Sequence, residues 1–235
     1  MPEQMDDKQR LERAIVTTSV IRPPKQMLST FGVTAINYHL LTIPSYENHG
    51  ELETVVRTGR VIADRPKIVT PQYLSHIDGF SAEAAQYFDK IKEEFGPDAP
   101  AVFYSYRNEP GGMEIVANGL EETACRINEQ IDKDGDQLAA VIKGDDALWD
   151  VSVMKFIFDI TSASLSRNMS EMNNTGLLNM RDGVPQQALM NIESMFSKLT
   201  SGDLDPHELQ QELERWGLFE SYQDRFLAAF RRVKS

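Results

Sequence analysis

Every segment with a strand-like pattern lies between residues 34 and 142, and the residues after them carry helical patterns alone. The strand-like segments are clustered instead of alternating regularly with helices. This order favours an α+β fold over a doubly wound parallel sheet. We therefore predict a small mixed or antiparallel sheet with packed helices, followed by an all-α C-terminal helical region.

Six segments are rich in β-branched or aromatic residues, or form short apolar runs bounded by turn residues. They are 34–43, 54–63, 67–70, 101–106, 113–116 and 138–142. The Thr58-Gly59 step makes 54–63 either a tight hairpin or one strand with a glycine bulge. Residues 108–112, with the sequence Asn-Glu-Pro-Gly-Gly, predict a loop that joins 101–106 to 113–116 in an antiparallel hairpin.

Helical periodicity separates and follows these segments. Apolar residues recur at helical spacing after Ser81, after Asn118 and from Asp145 or Asp146 to about Arg167. Three further helices follow, and the second of them begins at Asp205-Pro206, a capping signature with proline in the first turn.

The pattern divides the chain into three parts. Residues 1–25 are predicted to form a flexible N-terminal arm, because they are polar and end at two consecutive prolines. Residues 26–170 are predicted to form the α+β domain, and residues 177–235 the helical C-terminal region. That region either packs on the α+β domain or presents a separate helical surface.

The charge of the chain disfavours nucleic acid as a partner. Lys and Arg number 24 and Asp and Glu 36, which gives a net charge of −12, and a phosphate backbone is bound through a basic surface. The charge is also uneven, with a net +1 over residues 1–70 and −13 over the rest. Such asymmetry either orients docking to a partner or reflects solvated helix faces.

Cysteine usage and hydropathy predict a cytoplasmic protein with no membrane segment. Cys125 is the only cysteine, so no disulfide forms within the chain, and its helical spacing predicts a partly buried thiol. The N-terminal residues lack the apolar stretch of a signal peptide. No segment approaches the ~20 apolar residues of a membrane span.

The strongest candidate for a ligand site is a group of four cations, namely Arg57, Arg60, Arg65 and Lys67. Forked hydrogen bonds from such side chains hold phosphate or carboxylate groups. Across a hairpin at Thr58-Gly59, Arg57 would face Arg60, and an anion between them would relieve the repulsion. Ion pairs with neighbouring acidic residues are the alternative interpretation.

Two further groups are weaker candidates. Glu47, His49 and Glu51 could ligate a divalent metal, although a polar surface loop is the favoured interpretation of this segment. Tyr104, Tyr106 and Arg107 could form a recognition edge for a ligand, or simply the wet face of an amphipathic strand. A divalent metal is the one cofactor that the sequence leaves open, and no other is predicted.

No catalytic motif occurs: the chain lacks a G-x-S-x-G elbow, a P-loop, a G-x-G-x-x-G turn and an H-E-x-x-H pair. We therefore lean towards a non-enzymatic protein-protein interaction or regulatory module whose partner is another protein. A methionine-rich helical end supports that prediction, with Met154, Met169, Met172, Met180, Met190 and Met195. The alternative is an enzyme or small-molecule binder that recognises an anionic ligand through the arginine-rich strand region.

Overall fold

The computed structural model describes residues 7–45, 52–75 and 82–233. Its fold is α+β with a mixed five-stranded sheet and C-terminal helices, as the sequence predicts. In chain order the elements are α1 (Asp7–Thr17), β1 (Ser19–Arg22), β2 (Thr34–Thr42), β3 (Thr54–Ala63), β4 (Lys67–Val69), α2 (Pro71–Leu74), α3 (Ala82–Phe95), β5 (Ala101–Phe103), β6 (Tyr106–Val116), α4 (Leu120–Asp134), β7 (Ala139–Lys143), α5 (Trp149–Asn174), β8 (Met180–Arg181), β9 (Val184–Pro185), α6 (Gln186–Ser201), α7 (Pro206–Arg215) and α8 (Phe219–Val233).

The chain divides into two compact units. The first consists of Met1–Arg65 and Tyr104–Asn168, and the second of Pro66–Phe103 and Met169–Ser235. The segment from residue 66 to residue 103, which the sequence analysis assigns to the α+β domain, thus groups with the C-terminal helices. Among the helices of the described residues, none is long and apolar enough to cross a membrane.

The first unit is built on the five-stranded sheet, in the order β1-β7-β2-β3-β6. β2 pairs in parallel with β7 and antiparallel with β3, while β1 and β6 pair antiparallel with β7 and β3. It follows that β2, β6 and β7 all run in the same direction. Their carboxyl ends lie at one end of the sheet.

The two faces of this sheet are covered by different helices, because successive strand residues point to opposite faces. One face, here called the α5 face, packs Ile36, Tyr38, Leu40 and Val61 against Val153, Phe156 and Ile160 of α5. The other, the α4 face, packs Leu41, Val56 and Val141 against Ala124 and Ile131 of α4.

The second unit has its own apolar clusters. Helices α6, α7 and α8 enclose one of them, which contains Ile192, Phe196, Leu199, Leu209, Leu213 and Phe226. A smaller cluster joins the β4–β5 ribbon to the last turn of α5 and the residues after it, through Ile68, Met172 and Leu177. α7 begins as predicted, with Pro206 in its first turn and the Asp205 carboxylate accepting a hydrogen bond from the His207 amide at 2.8 Å.

The predicted hairpin between 101–106 and 113–116 is wrong. β5 pairs with β4 instead, and β6 is one continuous strand along β3. The glycines that suggested a loop serve a bulge: Arg57 and Gly59 pair with Met113 and Pro110, so β6 carries one extra residue. A side chain on Gly111 would come within 3.0 Å of the Thr58 carbonyl oxygen.

The segment 54–63 is a single strand, as in the second alternative, but the bulge next to Gly59 lies in β6 and not in this strand. At its centre the buried Tyr38 ring lies against Gly59, where a Cβ would overlap the ring. Because glycine leaves that space open, the strand passes the ring without a turn.

Within residues 1–25, the structure has a helix and an edge strand from residue 7 onward. Ala14 and Thr18 attach α1 to the first unit, because both are buried and the Thr18 and Ser152 hydroxyls are hydrogen-bonded at 2.8 Å. Most apolar side chains of α1 stay exposed, Val16 at 83%.

Candidate functional site

The two central arginines of the predicted anion site lie on opposite faces of the sheet. Arg57 pairs with Leu40, on the α5 face, whereas Arg60 pairs with Asn37, on the α4 face. The expectation that they face each other across a hairpin is wrong, because they are three residues apart on one strand. A single anion between them is excluded by this geometry.

Arg57 is engaged in a half-buried ion pair at the carboxyl end of β2. Its guanidinium donates to Asp146 Oδ1 at 2.7 Å and to Thr42 Oγ1 at 3.0 Å. The Asp146 carboxylate also accepts hydrogen bonds from the Thr42 hydroxyl and from the amide and hydroxyl of Ser45. Arg57 thus holds the segments that follow β2 and β7 together.

The surroundings of Asp146 favour its charged form. Burial alone would raise the pKa of this carboxyl group, but the hydrogen bonds from Arg57, Thr42 and Ser45 outweigh burial and hold the pKa below its ordinary value. Asp146 therefore neutralises Arg57, and neither charge is left over for a ligand.

Beside this ion pair, a crevice of about 640 Å³ opens at the carboxyl ends of β2 and β7. The connections from this end of the sheet diverge, since β7 leads to α5 on one face and β6 to α4 on the other. Crevices outside the carboxyl ends of parallel strands are frequent ligand sites in open α/β sheets, and β2 and β7 are a parallel pair of this sheet.

The crevice combines cations with an apolar wall. Arg10 and Arg13 of α1 and Lys143 of β7 line it together with Ile43, Pro44, Leu120 and Leu148. Arg10 has an exposed ion pair with Asp7 at 3.7 Å. Within the described part of the chain, Arg13 and Lys143 have no carboxylate within ion-pair distance.

The acidic groups of the crevice are already engaged. Asp146 is paired with Arg57, and Asp145 Oδ1 accepts a hydrogen bond from the Leu148 amide at 2.9 Å. Gly144 lets the chain turn closely past α5, because a Cβ there would overlap the Ser152 side chain. Among the described residues of the lining, the cations without a carboxylate partner, Arg13 and Lys143, therefore outnumber Asp145, the carboxylate without a cationic partner.

Arg60 lies at a different pocket, of about 440 Å³, on the α4 face. Its Nε donates to Asn37 Oδ1 at 3.1 Å, and Asn37 in turn donates to Asp136 at 2.8 Å. His39 also lines this pocket, and burial lowers its pKa despite the nearby charges of Asp136 and Glu114. Glu109, Asp134 and Asp136 make the pocket acidic overall, which does not suit an anion.

The aromatic residues of the predicted recognition edge have packing partners. Tyr104 and Tyr106 stack on each other at 6.3 Å and pack against the α5-face core. The Tyr104 hydroxyl accepts a hydrogen bond from Asn168 at 2.9 Å, and the Tyr106 hydroxyl is bonded to Thr161. Arg107 is exposed on β6 and donates to Glu109 at 3.1 Å.

The remaining predicted residues do not join either pocket. Arg65 and Lys67 are exposed, in the first and second unit respectively. The predicted metal ligands Glu47, His49 and Glu51 lie outside the described residues, so that site stays a prediction. Within the described ranges, no group of three His, Cys, Asp or Glu side chains could hold a metal ion. Cys125, expected to be partly buried, is exposed.

Sequence reasoning missed the cations of the crevice. Arg10 and Arg13 fell in the predicted arm, and Lys143 was passed over as the end of a short apolar run. One signal could have found Lys143: the run 138–142 is followed by Lys-Gly-Asp-Asp and a long helix, which is the strand-turn-helix order that places a ligand site at a strand's carboxyl end.

No protein-family model, no curated protein and no solved structure matches this chain.

Proposed function

We propose that this protein binds a small organic anion with an apolar part, in the crevice at the carboxyl ends of β2 and β7. The observation that carries the proposal is the pairing of charges there. The acidic side chains are engaged within the protein, whereas Arg13 and Lys143 have no carboxylate partner among the described residues.

The lining supports a ligand with two parts. Guanidinium and ammonium groups bind carboxylate or phosphate oxygens through charge-assisted hydrogen bonds. Ile43 is 66% exposed beside them, and Leu120 and Leu148 add to the apolar wall. Covering this wall with an aliphatic chain would remove apolar surface from water, at about 25 cal/mol per Å².

Three probes of one chain length separate the role of charge from the role of apolar contact. Octanoate, octanol and octylammonium share the aliphatic chain and differ in the head group. We expect octanoate to bind in isothermal titration calorimetry, octanol to bind more weakly and octylammonium not to bind. Equal binding of octanol and octanoate would show that no anion is recognised and would refute the proposal.

Two variants locate the site. Arg13→Glu and Lys143→Glu should each weaken octanoate binding by roughly tenfold to a hundredfold, since hydrogen bonds to charged groups contribute about 1.5–3 kcal/mol. The matched control is Arg60→Glu, which makes the same charge change at the α4-face pocket. If Arg60→Glu abolishes binding and the crevice variants do not, the arginine-rich strand region is the site instead.

A protein-protein interaction module remains the second candidate function, supported by an exposed stripe on α5. Met154, Phe158 and Leu165 lie on one side of that helix and are 65%, 68% and 42% exposed. A photo-crosslinking residue at Phe158 should then capture one defined protein that the same residue at Ser166 does not.

For either function we propose a cytoplasmic location, with which a single cysteine is compatible.

A further inference from the structure

β6 is a long edge strand of the five-stranded sheet. It has 11 residues and, among the described strands, β3 as its one neighbour. Two large apolar side chains on it are well exposed, Met113 at 64% and Ile115 at 53%. Edge strands of this length present unpaired backbone N–H and C=O groups that another strand can pair with.

We propose that two copies of this chain pair antiparallel through β6, with Arg107 of each copy opposite Glu114 of the other. The two sheets would then form one ten-stranded sheet across a two-fold axis. The inference is independent of the proposed function, because it uses no residue of the crevice.

The bulge is what places these two charges on one face. Val61 and Ala63 point into the α5-face core, so Ile62 and its partner Arg107 point to the α4 face. Val116 packs against the α4-face core, and Glu114, two residues before it, shares that face. In a regular strand, residues seven apart would lie on opposite faces.

Pairing Arg107 with Glu114 fixes every other pair. Asn108 then lies opposite Met113, and Tyr106 opposite Ile115, all on the α5 face. The pairing gives each exposed apolar side chain of β6 a neighbour on the second copy. A shift by one residue would place each charge opposite a residue that faces the other side of the sheet.

Both side chains can form this contact, with Arg107 shared between it and the ion pair to Glu109 of the same strand. Arg107 uses one of its five N–H groups on Glu109. Glu114 is exposed and has no ion-pair partner among the residues that the structure describes. Each cross-strand pair of opposite charges stabilises a sheet by roughly 0.2–1 kcal/mol, and the two-fold axis provides two such pairs.

Pro110 and the bulge act at the centre of the pairing. The axis passes between Pro110 and Gly111, so pairing occurs in two arms, with residues 106–109 of one copy along residues 112–115 of the other.

Proline and bulges also protect edge strands against association, which is the competing explanation for their presence. The net charge of −12 on each copy opposes association as well, so the test is made at physiological salt, where screening acts beyond about 8 Å.

Charge reversal distinguishes the two explanations. Sedimentation equilibrium of the full chain, from micromolar to millimolar concentration, should show a concentration-dependent approach to twice the chain mass of 26.6 kDa. Arg107→Glu and Glu114→Arg should each weaken the dimer by roughly tenfold, because each turns two attractive pairs into two repulsive ones. The double variant should restore the dimer.

The matched control reverses two exposed charges on α4, in Glu122→Arg, Arg126→Glu and the double variant. These substitutions change the net charge by the same amounts and should leave the dimer unchanged. If they weaken it as much as the β6 variants do, overall charge governs association and the proposed register is wrong.

Cross-linking tests the register directly. In a Cys125→Ser background, a mixture of Arg107→Cys and Glu114→Cys proteins should form a disulfide-linked dimer under mild oxidation, since residues paired across antiparallel strands lie within disulfide range. Each variant alone should not. A chain that stays monomeric throughout the concentration range, or a dimer in which the mixture cross-links no better than the single variants, overturns the proposal.

Discussion

Asp146 shows how one carboxylate holds two loops at a ligand-sized crevice. Its side chain is 15% exposed and accepts hydrogen bonds from Arg57, Thr42 and Ser45. We expect Asp146→Asn to lower the free energy of unfolding at pH 7 by roughly 1–3 kcal/mol, because Arg57 loses its counter-charge in a half-buried place. Urea unfolding of both proteins measures the difference.

The difference should vanish in acid. The folded-state pKa of Asp146 lies below the ordinary value of 3.8, so the ion pair stabilises the protein above that pH. This stabilisation is lost as the pH falls through the folded-state pKa. A difference between wild type and Asp146→Asn that stays constant down to pH 2 would show that the charge of Asp146 does not contribute to stability.

A second buried carboxylate, Glu212 in the second unit, depends on neutral donors. It is 9% exposed and accepts hydrogen bonds from the Tyr73 hydroxyl and from Trp216 Nε1, both at 3.0 Å. Burial and the Glu212 charge raise the pKa of Tyr73 to about 12. The hydroxyl therefore keeps its proton and serves as a donor at every physiological pH.

Tyr73→Phe should destabilise the second unit by roughly 1–3 kcal/mol, because the buried Glu212 loses a donor. The matched control is Tyr222→Phe, which removes the hydroxyl of an aromatic residue stacked on Phe196 at 5.8 Å. That change should lie within about 0.5 kcal/mol of wild type. Equal effects in thermal unfolding would contradict a special role for the Tyr73 hydroxyl.

Strand β3 depends on the absence of one side chain, at Gly59. Gly59→Ala places a Cβ against the buried Tyr38 ring, and we expect a loss of about 1–3 kcal/mol from overpacking. Gly112→Ala is the control on the neighbouring strand, because its Cβ would meet Thr58 Oγ1 at an ordinary 3.8 Å. If circular dichroism melts show the same loss for both variants, backbone flexibility and not the Tyr38 contact explains the glycine.

Local signals predict most elements here, and long-range pairing decides the rest. The cap at Asp205 depends on neighbours in sequence, and the structure has it. The pairing partner of β6, in contrast, does not follow from residues nearby in the sequence. Pro110-Gly111-Gly112 suits a hairpin loop as well as a bulge, and only the pairing with β3, about fifty residues earlier, distinguishes the two. For the same reason, the sequence identifies Arg57 and Arg60 as neighbouring cations but does not show that they lie on opposite faces of the sheet.

The chain crosses between its two units three times, at residues 65, 103 and 168. Each unit nevertheless has clusters of its own, one of which contains Leu40 and another Leu209. Because each unit is made of two separate stretches of the chain, the sequence analysis placed residues 66–103 in the α+β domain. Composition does not change at residue 66, and the assignment of 66–103 depends on contacts such as those of Ile68 with Met172 and Leu177.

Separate cores imply that a cavity weakens one unit first. Leu40→Ala and Leu209→Ala remove the same atoms from side chains that are 0% exposed, and each should cost about 2–5 kcal/mol. In native-state hydrogen exchange we expect Leu209→Ala to accelerate amides of residues 66–103 and 169–233 most. Leu40→Ala should instead accelerate those of residues 7–65 and 104–168. Equal acceleration along the whole chain by each substitution would contradict this expectation. It would show that every amide exchanges through global unfolding, so that both cores open in one cooperative step.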